Sequence, residues 1–306
     1  MLQHLEKKNV TMLPGLFRER MLVNRNYLLE LGTQELLQNY YLEAGIVMPG
    51  LQVLERPETA KLHWGWEAPT CQLRGHFLGH WLSAASSLIA SENDAALKAK
   101  LDEIISELAR CQELNGGEWI GPFPEKYFTR LEKELDIWSP QYVMHKLIMG
   151  LTHAYLYAGN EQALTIVRHL ADWYIRWTEK VQSTNPHAVY SGEESGMLEM
   201  WAQLFETTKD PVYETLASRY SNPSLFHNLS EGKDALTNCH TNSSIPWAHG
   251  AARMYEVTGD EKYKTIVELF WKCAVTDRGY FCTGSANSGE FWPVLKRPRP
   301  GILYRI

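Results

Sequence analysis

The sequence predicts an all-α fold: an (α/α)6-type toroid of helical hairpins, with about five hairpins present and the ring left incomplete. Three observations predict it. Period-2 strand patterns are nearly absent along the 306 residues. A common punctuation recurs at Tyr155 to Asn160, Phe205 to Asp210 and Tyr255 to Asp260, so that Asn160, Asp210 and Asp260 are spaced by 50 residues each. Amphipathic helical patterns run before and after each mark, as in residues 143–157, 245–257 and 261–274.

The elements follow in order. Residues 16–41 read as a first hairpin, broken near Gly32-Thr33, and residues 75–111 as a second, turning at residues 91–94. The next three turn at Gly159-Asn160, Lys209-Asp210 and Gly259-Asp260. Glycine ends a helix in the left-handed conformation at little cost. The Asn or Asp after it caps the following helix by accepting a free backbone N–H. The register extends to Ile166, Leu216 and Ile266, and to Leu170, Tyr220 and Phe270. One hairpin cannot bury its apolar stripe alone, so successive hairpins stack. Long loops rich in Gly, Pro and Trp separate them at residues 57–69, 115–124, 186–192 and 221–244. Such loops on a rigid scaffold carry function and favour a toroid with a central pocket over an open superhelix. Residues 1–292 are assigned to the toroid and 293–306 to an atypical tail.

The formal net charge is −6, and the basic cluster of Lys296, Arg297 and Arg299 is too short for a nucleic-acid footprint. Eleven Trp and 15 Tyr are mostly core material, with a surplus that suits stacking on sugar rings. Cys71, Cys111, Cys239, Cys273 and Cys282 are scattered and odd in number, which argues against a secreted disulfide framework. The first eight residues lack the apolar stretch of a signal peptide. No run reaches the ~18 apolar residues of a membrane span. The expectation is a cytoplasmic protein with no membrane or nucleic-acid partner. An open ring would expose apolar sides on its end hairpins, so self-association is expected.

Several motifs can carry chemistry. His76 and His80, in Arg74-Gly-His-Phe-Leu-Gly-His80, sit at i and i+4 on one helical face. That spacing can hold a metal, but the glutamate of a zinc-protease helix is missing and no third ligand is near in sequence. A pocket wall and plain packing are the other readings, and Arg74 with two glycines favours the wall. Residues 115–122 are glycine-rich without a Lys-Ser/Thr, so a phosphate loop is unsupported; they turn the chain beside Trp119, as a bland loop or as a ligand-facing one. His145 lies on an otherwise apolar helix, where a satisfied core histidine is the commoner case. Glu193 and Glu194 precede a helix, and capping is their bland explanation. Cys239-His240-Thr241-Asn242 holds the matching place before the next repeat's helix. Glu290 follows Gly289 and precedes Phe291-Trp292; burial there would raise its carboxyl pKa, as a general acid requires.

In this order, Arg74-Gly-His-Phe-Leu-Gly-His80-Trp-Leu-Ser, His145-Lys-Leu, Gly192-Glu-Glu-Ser-Gly-Met197, His240-Thr-Asn242 through Ile245-Pro246, and Thr283-Gly-Ser to Gly289-Glu290-Phe-Trp292 resemble the family 127 glycoside hydrolases and their family 146 relatives, β-L-arabinofuranosidase-like enzymes. The resemblance covers residues from about Asn9 to Trp292. It implies an (α/α)6 catalytic domain and a retaining glycosidase acting on arabinose-containing glycans. It implies Glu290 as general acid/base, and His145, His240 and Glu194 as sugar-binding residues. Glu193, Asn242, His76 and His80 are further sugar-binding candidates, with Trp64, Trp66 and Trp119 as stacking faces. The family nucleophile is a cysteine held by zinc, whose ligands follow the Gly-Glu motif. The chain ends at Ile306 before any such motif, so no cofactor is expected in this chain and its activity is expected to be low or absent. Leu198 also stands where many relatives have Asn. Two other classes stay open: another toroid carbohydrate enzyme, a polysaccharide lyase or sugar epimerase, and a non-catalytic sugar-binding remnant.

Overall fold

A computed structural model describes residues 5–47, 62–278 and 289–295. Cys282, residues 283–288 and the tail from residue 296, with Lys296, Arg297 and Arg299, lie outside the described residues. The chain divides into two compact units, residues 1–180 and 181–306.

The first unit holds α1 (Leu16–Glu30), α2 (Thr33–Glu43), α3 (His76–Glu92), α4 (Ala95–Leu114), α5 (Lys126–Glu132), α6 (Pro140–Ala158) and most of α7 (Glu161–Thr184). The second holds α8 (Met197–Thr208), α9 (Pro211–Tyr220), α10 (Pro223–Ser230), α11 (Thr241–Thr258) and α12 (Glu261–Trp271), which ends in a π-helical turn at Lys272–Thr276. Among the described residues there is no strand, only one antiparallel bridge between His240 and Phe291. None of their helices is long and apolar enough to cross a membrane.

Four hairpin turns use one device. Asn93, Gly159, Lys209 and Gly259 take left-handed backbone, with φ of 52°, 67°, 58° and 70°. The next residue in each case caps the following helix. Asp94 accepts from Leu97 N–H at 3.0 Å, Asn160 from Ala163 at 2.9 Å, Asp210 from Val212 at 3.1 Å and Asp260 from Lys262 at 3.0 Å. Satisfying an orphan donor in this way is worth about 1 kcal/mol per helix. The 50-residue register holds in the core: Ile166, Leu216, Ile266, Leu170, Tyr220 and Phe270 are all buried. The first hairpin differs. Gly32 offers no side chain to cap α2, and Leu36 N–H bonds its carbonyl instead.

Close helix crossings depend on glycine. A Cβ added at Gly79 on α3 would stand 2.0 Å from the Lys146 carbonyl oxygen on α6, and one at Gly150 would stand 2.6 Å from the Gly79 oxygen. Below this crossing, Leu78, Trp81, Leu82 and Ala85 fill the core, with the Trp81 indole donating to Leu28 O at 3.1 Å. In the second unit Gly250 on α11 lies against Leu198, whose Cγ is 2.7 Å from where a Cβ would be. Leu198 is fully buried, so an apolar packing role accounts for it here.

Two short helices, α5 and α10, fall near or within stretches read from sequence as loops. For α10 the reason is local: Asn222 caps Leu225 N–H at 3.1 Å and Pro223 opens the first turn. Helix α11 starts at Thr241, before the residue 245 that periodicity gives, and carries Pro246 inside it. The His240 cap nucleates a first turn that the proline obscures in the pattern.

Candidate active site

In the first unit, the Gly79 crossing brings the first turns of α3 and α6 together. The ring of His76 lies 6.0 Å from His80 and 6.1 Å from Tyr142. Trp66 stands 6.2 Å from His76 and meets Trp138 edge-on at 6.3 Å. Lys146 Nζ sits 4.7 Å over the Tyr142 ring. Glu67 anchors this cluster. Its Oε1 is 2.7 Å from His76 Nδ1 and accepts Phe77 N–H at 3.0 Å, while its Oε2 accepts Gly75 N–H at 2.7 Å. Burial alone would raise the Glu67 pKa; the bonds from His76, Phe77 and Gly75 outweigh it and hold the carboxyl below the usual range. Gly75 has φ of 88° and no room for a side chain, since a Cβ would meet Pro122 at 2.2 Å.

His80 and His145 are kept neutral. Burial, with Lys146 and His76 nearby, pushes His80 down to about 4. Burial and Lys146 push His145 well below its ordinary value. His145 is buried, and its Nε2 has no hydrogen-bond partner. A satisfied core histidine is therefore not what is found. Trp66 is 62% exposed and Trp64 49% exposed. Trp119 is a correction: it is buried, donates its indole N–H to Phe123 O at 3.2 Å, and packs on Trp173 at 4.7 Å. Its ring is a core element, not an open stacking face. Arg74 is likewise held in place, by Pro122 O, Cys71 O and the Tyr127 hydroxyl.

In the second unit, residues 238–241 pair with 290–292. Thr241 N–H donates to Glu290 O at 2.8 Å, Trp292 N–H to Cys239 O at 3.0 Å and Asn238 N–H to Trp292 O at 3.0 Å. The buried Trp292 indole donates to Ser244 Oγ at 2.7 Å. This pairing sets Glu290 Oε2 at 3.7 Å from His240 Nε2. His240 Nδ1 accepts Ser243 N–H at 3.3 Å, capping α11. In the neutral ring that places the proton on Nε2, facing the Glu290 carboxylate.

The buried carboxyl expected at Glu290 is found instead at Glu194. The Glu290 side chain is 81% exposed, because its left-handed backbone (φ 68°) turns it away from the buried Trp292. Glu194 is 3% exposed, accepts the Trp247 indole N–H at 3.3 Å, and burial pushes its pKa up to about 7. Capping does not explain Glu193 or Glu194: the N-cap of α8 is Gly196, and no side chain caps that helix. Asn242 is exposed on the first turn of α11.

Sequence reasoning missed Glu67, Trp138, Tyr142 and Trp247. Glu67 was findable in principle. Gly75 has no side chain to cap α3, so a distant carboxylate had to serve its first N–H groups. Among the described residues no group of three or more His, Cys, Asp or Glu is placed to hold a metal. Cys239 donates to Ala235 O at 3.3 Å, and burial raises both Cys239 and Cys273, which keeps them thiols. These residues do not fit the zinc-thiolate that the resemblance implies.

Comparison with known proteins gives a family match and structural matches. A family model described as Beta-L-arabinofuranosidase, GH127 catalytic domain, matches residues 9–299. The fold is similar to that of Ara127N-Se, a GH127 β-L-arabinofuranosidase from Geobacillus stearothermophilus T6, with a TM-score of 0.62 and 16% identity over 92% of this chain. That overlap is 47% of the Geobacillus chain, so the present chain spans about half the length of that relative. No curated protein matches the chain. The ordered motifs, the helical-hairpin fold of the α/α toroid class and the match over residues 9–299 make this chain a member of the glycoside hydrolase family 127 catalytic-domain family.

Proposed function

We propose that the chain serves a retaining hydrolysis of β-L-arabinofuranosides in arabinose-containing glycans, with Glu290 as general acid/base. The observation that carries this is the Glu290–His240 pair, fixed by backbone hydrogen bonds on both sides of the bridge. In a retaining displacement the Glu290 carboxylic acid would give its proton to the glycosidic oxygen as a nucleophile, which the described residues do not supply, bonds to the anomeric carbon and the aglycone leaves as an alcohol. In the return step the Glu290 carboxylate would take a proton from the water whose oxygen displaces that nucleophile and releases the sugar. His240 Nε2 stands 3.7 Å from that carboxylate. Glu194 and Trp247 hold sugar hydroxyls. These residues supply the proton-transfer and binding half of the chemistry. In the first unit, the imidazoles of His76, His80 and His145 offer ring nitrogens to hydroxyls, and Trp66 offers an exposed face for a sugar ring.

One observation favours a second assignment of the acid. A carboxyl with a pKa of about 7 is half protonated at neutral pH, and that carboxyl is Glu194. The experiment is hydrolysis by the whole chain of aryl β-L-arabinofuranosides with graded leaving groups. Loss of a general acid costs about 10²–10⁴-fold, and the loss falls on poor leaving groups. Glu290→Gln is expected to show that dependence and Glu194→Gln to lower all substrates alike. The reverse pattern assigns the acid to Glu194. Low turnover is the expected level for this chain, because no zinc-thiolate site fits its described residues; a full rate from metal-free protein would overturn that expectation, and a rate in the parent no higher than in Glu290→Gln would sink the assignment of the acid to Glu290.

A further inference from the structure

We infer that the cleft between residues 186–190 and α10 binds the leaving-group side of a neutral oligosaccharide; only the side of the scissile bond rests on the hydrolase reading above. The cleft lies wholly in the second unit, has a volume of about 540 Å3, and is bounded by Tyr190, Asn222, Leu225, Asn228, Cys239 and Trp247 among others. Two of its walls lead to the carboxylates. Trp247 lines it and gives its indole N–H to Glu194 at 3.3 Å. Cys239 lines it and immediately precedes His240, whose Nε2 is 3.7 Å from Glu290. A general acid protonates the oxygen that departs with the aglycone. Space beside the His240–Glu290 pair is therefore aglycone space.

Size and lining define the ligand. Pockets of about 300–1,000 Å3 hold drug-sized ligands, so this cleft has room for more than one pentose. Its lining includes no Lys, Arg, Asp or Glu, and His187 is its one imidazole. A uronate or phosphate would be desolvated there without an opposing charge. The polar groups are neutral: the amides of Asn222 and Asn228 and the Ser224 hydroxyl. The Tyr190 and Trp247 rings supply apolar faces, and the Tyr190 hydroxyl is already spent on Arg219 O at 2.9 Å. Neutral hydroxyl-rich rings with apolar faces match this surface.

The test is calorimetric titration of the whole chain with L-arabinose, a neutral arabinofuranose trisaccharide and a galacturonate trisaccharide. It compares the parent with Ser224→Trp and Ser230→Trp. Ser224 lines the cleft; Ser230 is exposed on the same helix and does not. The neutral trisaccharide is expected to bind about tenfold or more tightly than the monosaccharide, a gap of about 1.4 kcal/mol or more. Ser224→Trp should abolish that gap and Ser230→Trp should keep it, while the galacturonate gains nothing over arabinose. Equal affinities in the parent, a gap that survives Ser224→Trp, or galacturonate binding as tightly as the neutral trisaccharide would each overturn the inference. Binding is read without turnover. A chain that shows the gap while its rate is no higher than that of Glu290→Gln keeps its cleft and loses only the assignment of the acid.

Discussion

Gly79 on α3 lies directly beneath the backbone carbonyl of Lys146 on α6, with 2.0 Å between that oxygen and the place a Cβ would take. The second glycine of the Arg74–His80 motif therefore exists for helix approach, and it sets His76 and His80 beside Tyr142 and Lys146. Alanine in a helix normally gains up to about 1 kcal/mol over glycine. Here the methyl meets rigid backbone, and overpacking of that kind costs about 1–3 kcal/mol. Gly79→Ala should lower stability by about 2 kcal/mol in urea denaturation. A stabilised variant would show that α3 and α6 are not this close.

Glu194 makes stability fall as pH rises. Burial raises its folded pKa to about 7, above the unfolded value near 4.5. A raised folded pKa means a contribution fully present below pH 4.5 and lost as pH climbs through 7. With about 1.4 kcal/mol per unit, the wild-type chain should lose on the order of 3 kcal/mol between pH 4.5 and 8 from this group. Glu194→Gln, with no proton to lose, should lack that decline and be the more stable protein at pH 8. Paired urea titrations across this range check it; parallel curves would mean that Glu194 is ionised and solvated at neutral pH.

The hairpin frame was legible because it is written in short-range chemistry. A left-handed residue followed by an Asn or Asp cap is visible at Gly159-Asn160 and Gly259-Asp260, and the structure extends the same device to Asn93-Asp94 and Lys209-Asp210. Site residues were legible only in part. His240 and Glu290 stand in readable motifs, but their pairing depends on a bridge between segments 50 residues apart in the chain. Which carboxyl is buried was not legible, because burial of Glu194 and exposure of Glu290 follow from tertiary packing around Trp247 and Trp292. Glu67 and Trp138 belong to loops whose partners no periodicity announces. Trp119 looked like a stacking face beside a glycine turn, yet the aromatic core of Phe123, Phe128 and Trp173 had claimed it.

Arg278 holds the strip that presents Glu290 and His240. It is fully buried, and all its bonds run to that neighbourhood: Nε to Pro293 O at 2.7 Å, Nη1 to Cys273 O at 2.8 Å, and Nη2 to Asp234 Oδ2 at 2.5 Å and Thr237 Oγ1 at 2.8 Å. Burial would raise the Asp234 carboxyl, but Thr237, Arg278 and the Leu236 N–H hold it below its ordinary value. Its contribution is therefore present above the unfolded pKa near 3.8 and lost as pH falls through the lower folded one. Removing one partner of a buried pair costs about 3–5 kcal/mol, because the other charge is left behind. Arg278→Met should cost that much at pH 7 in urea denaturation. Adding Asp234→Asn should restore part of it, since the double variant buries no unpaired carboxylate. If the single variant costs less than about 1 kcal/mol, the usual worth of an exposed pair, the guanidinium is solvated and the strip carrying Glu290 is held by its backbone bridge alone.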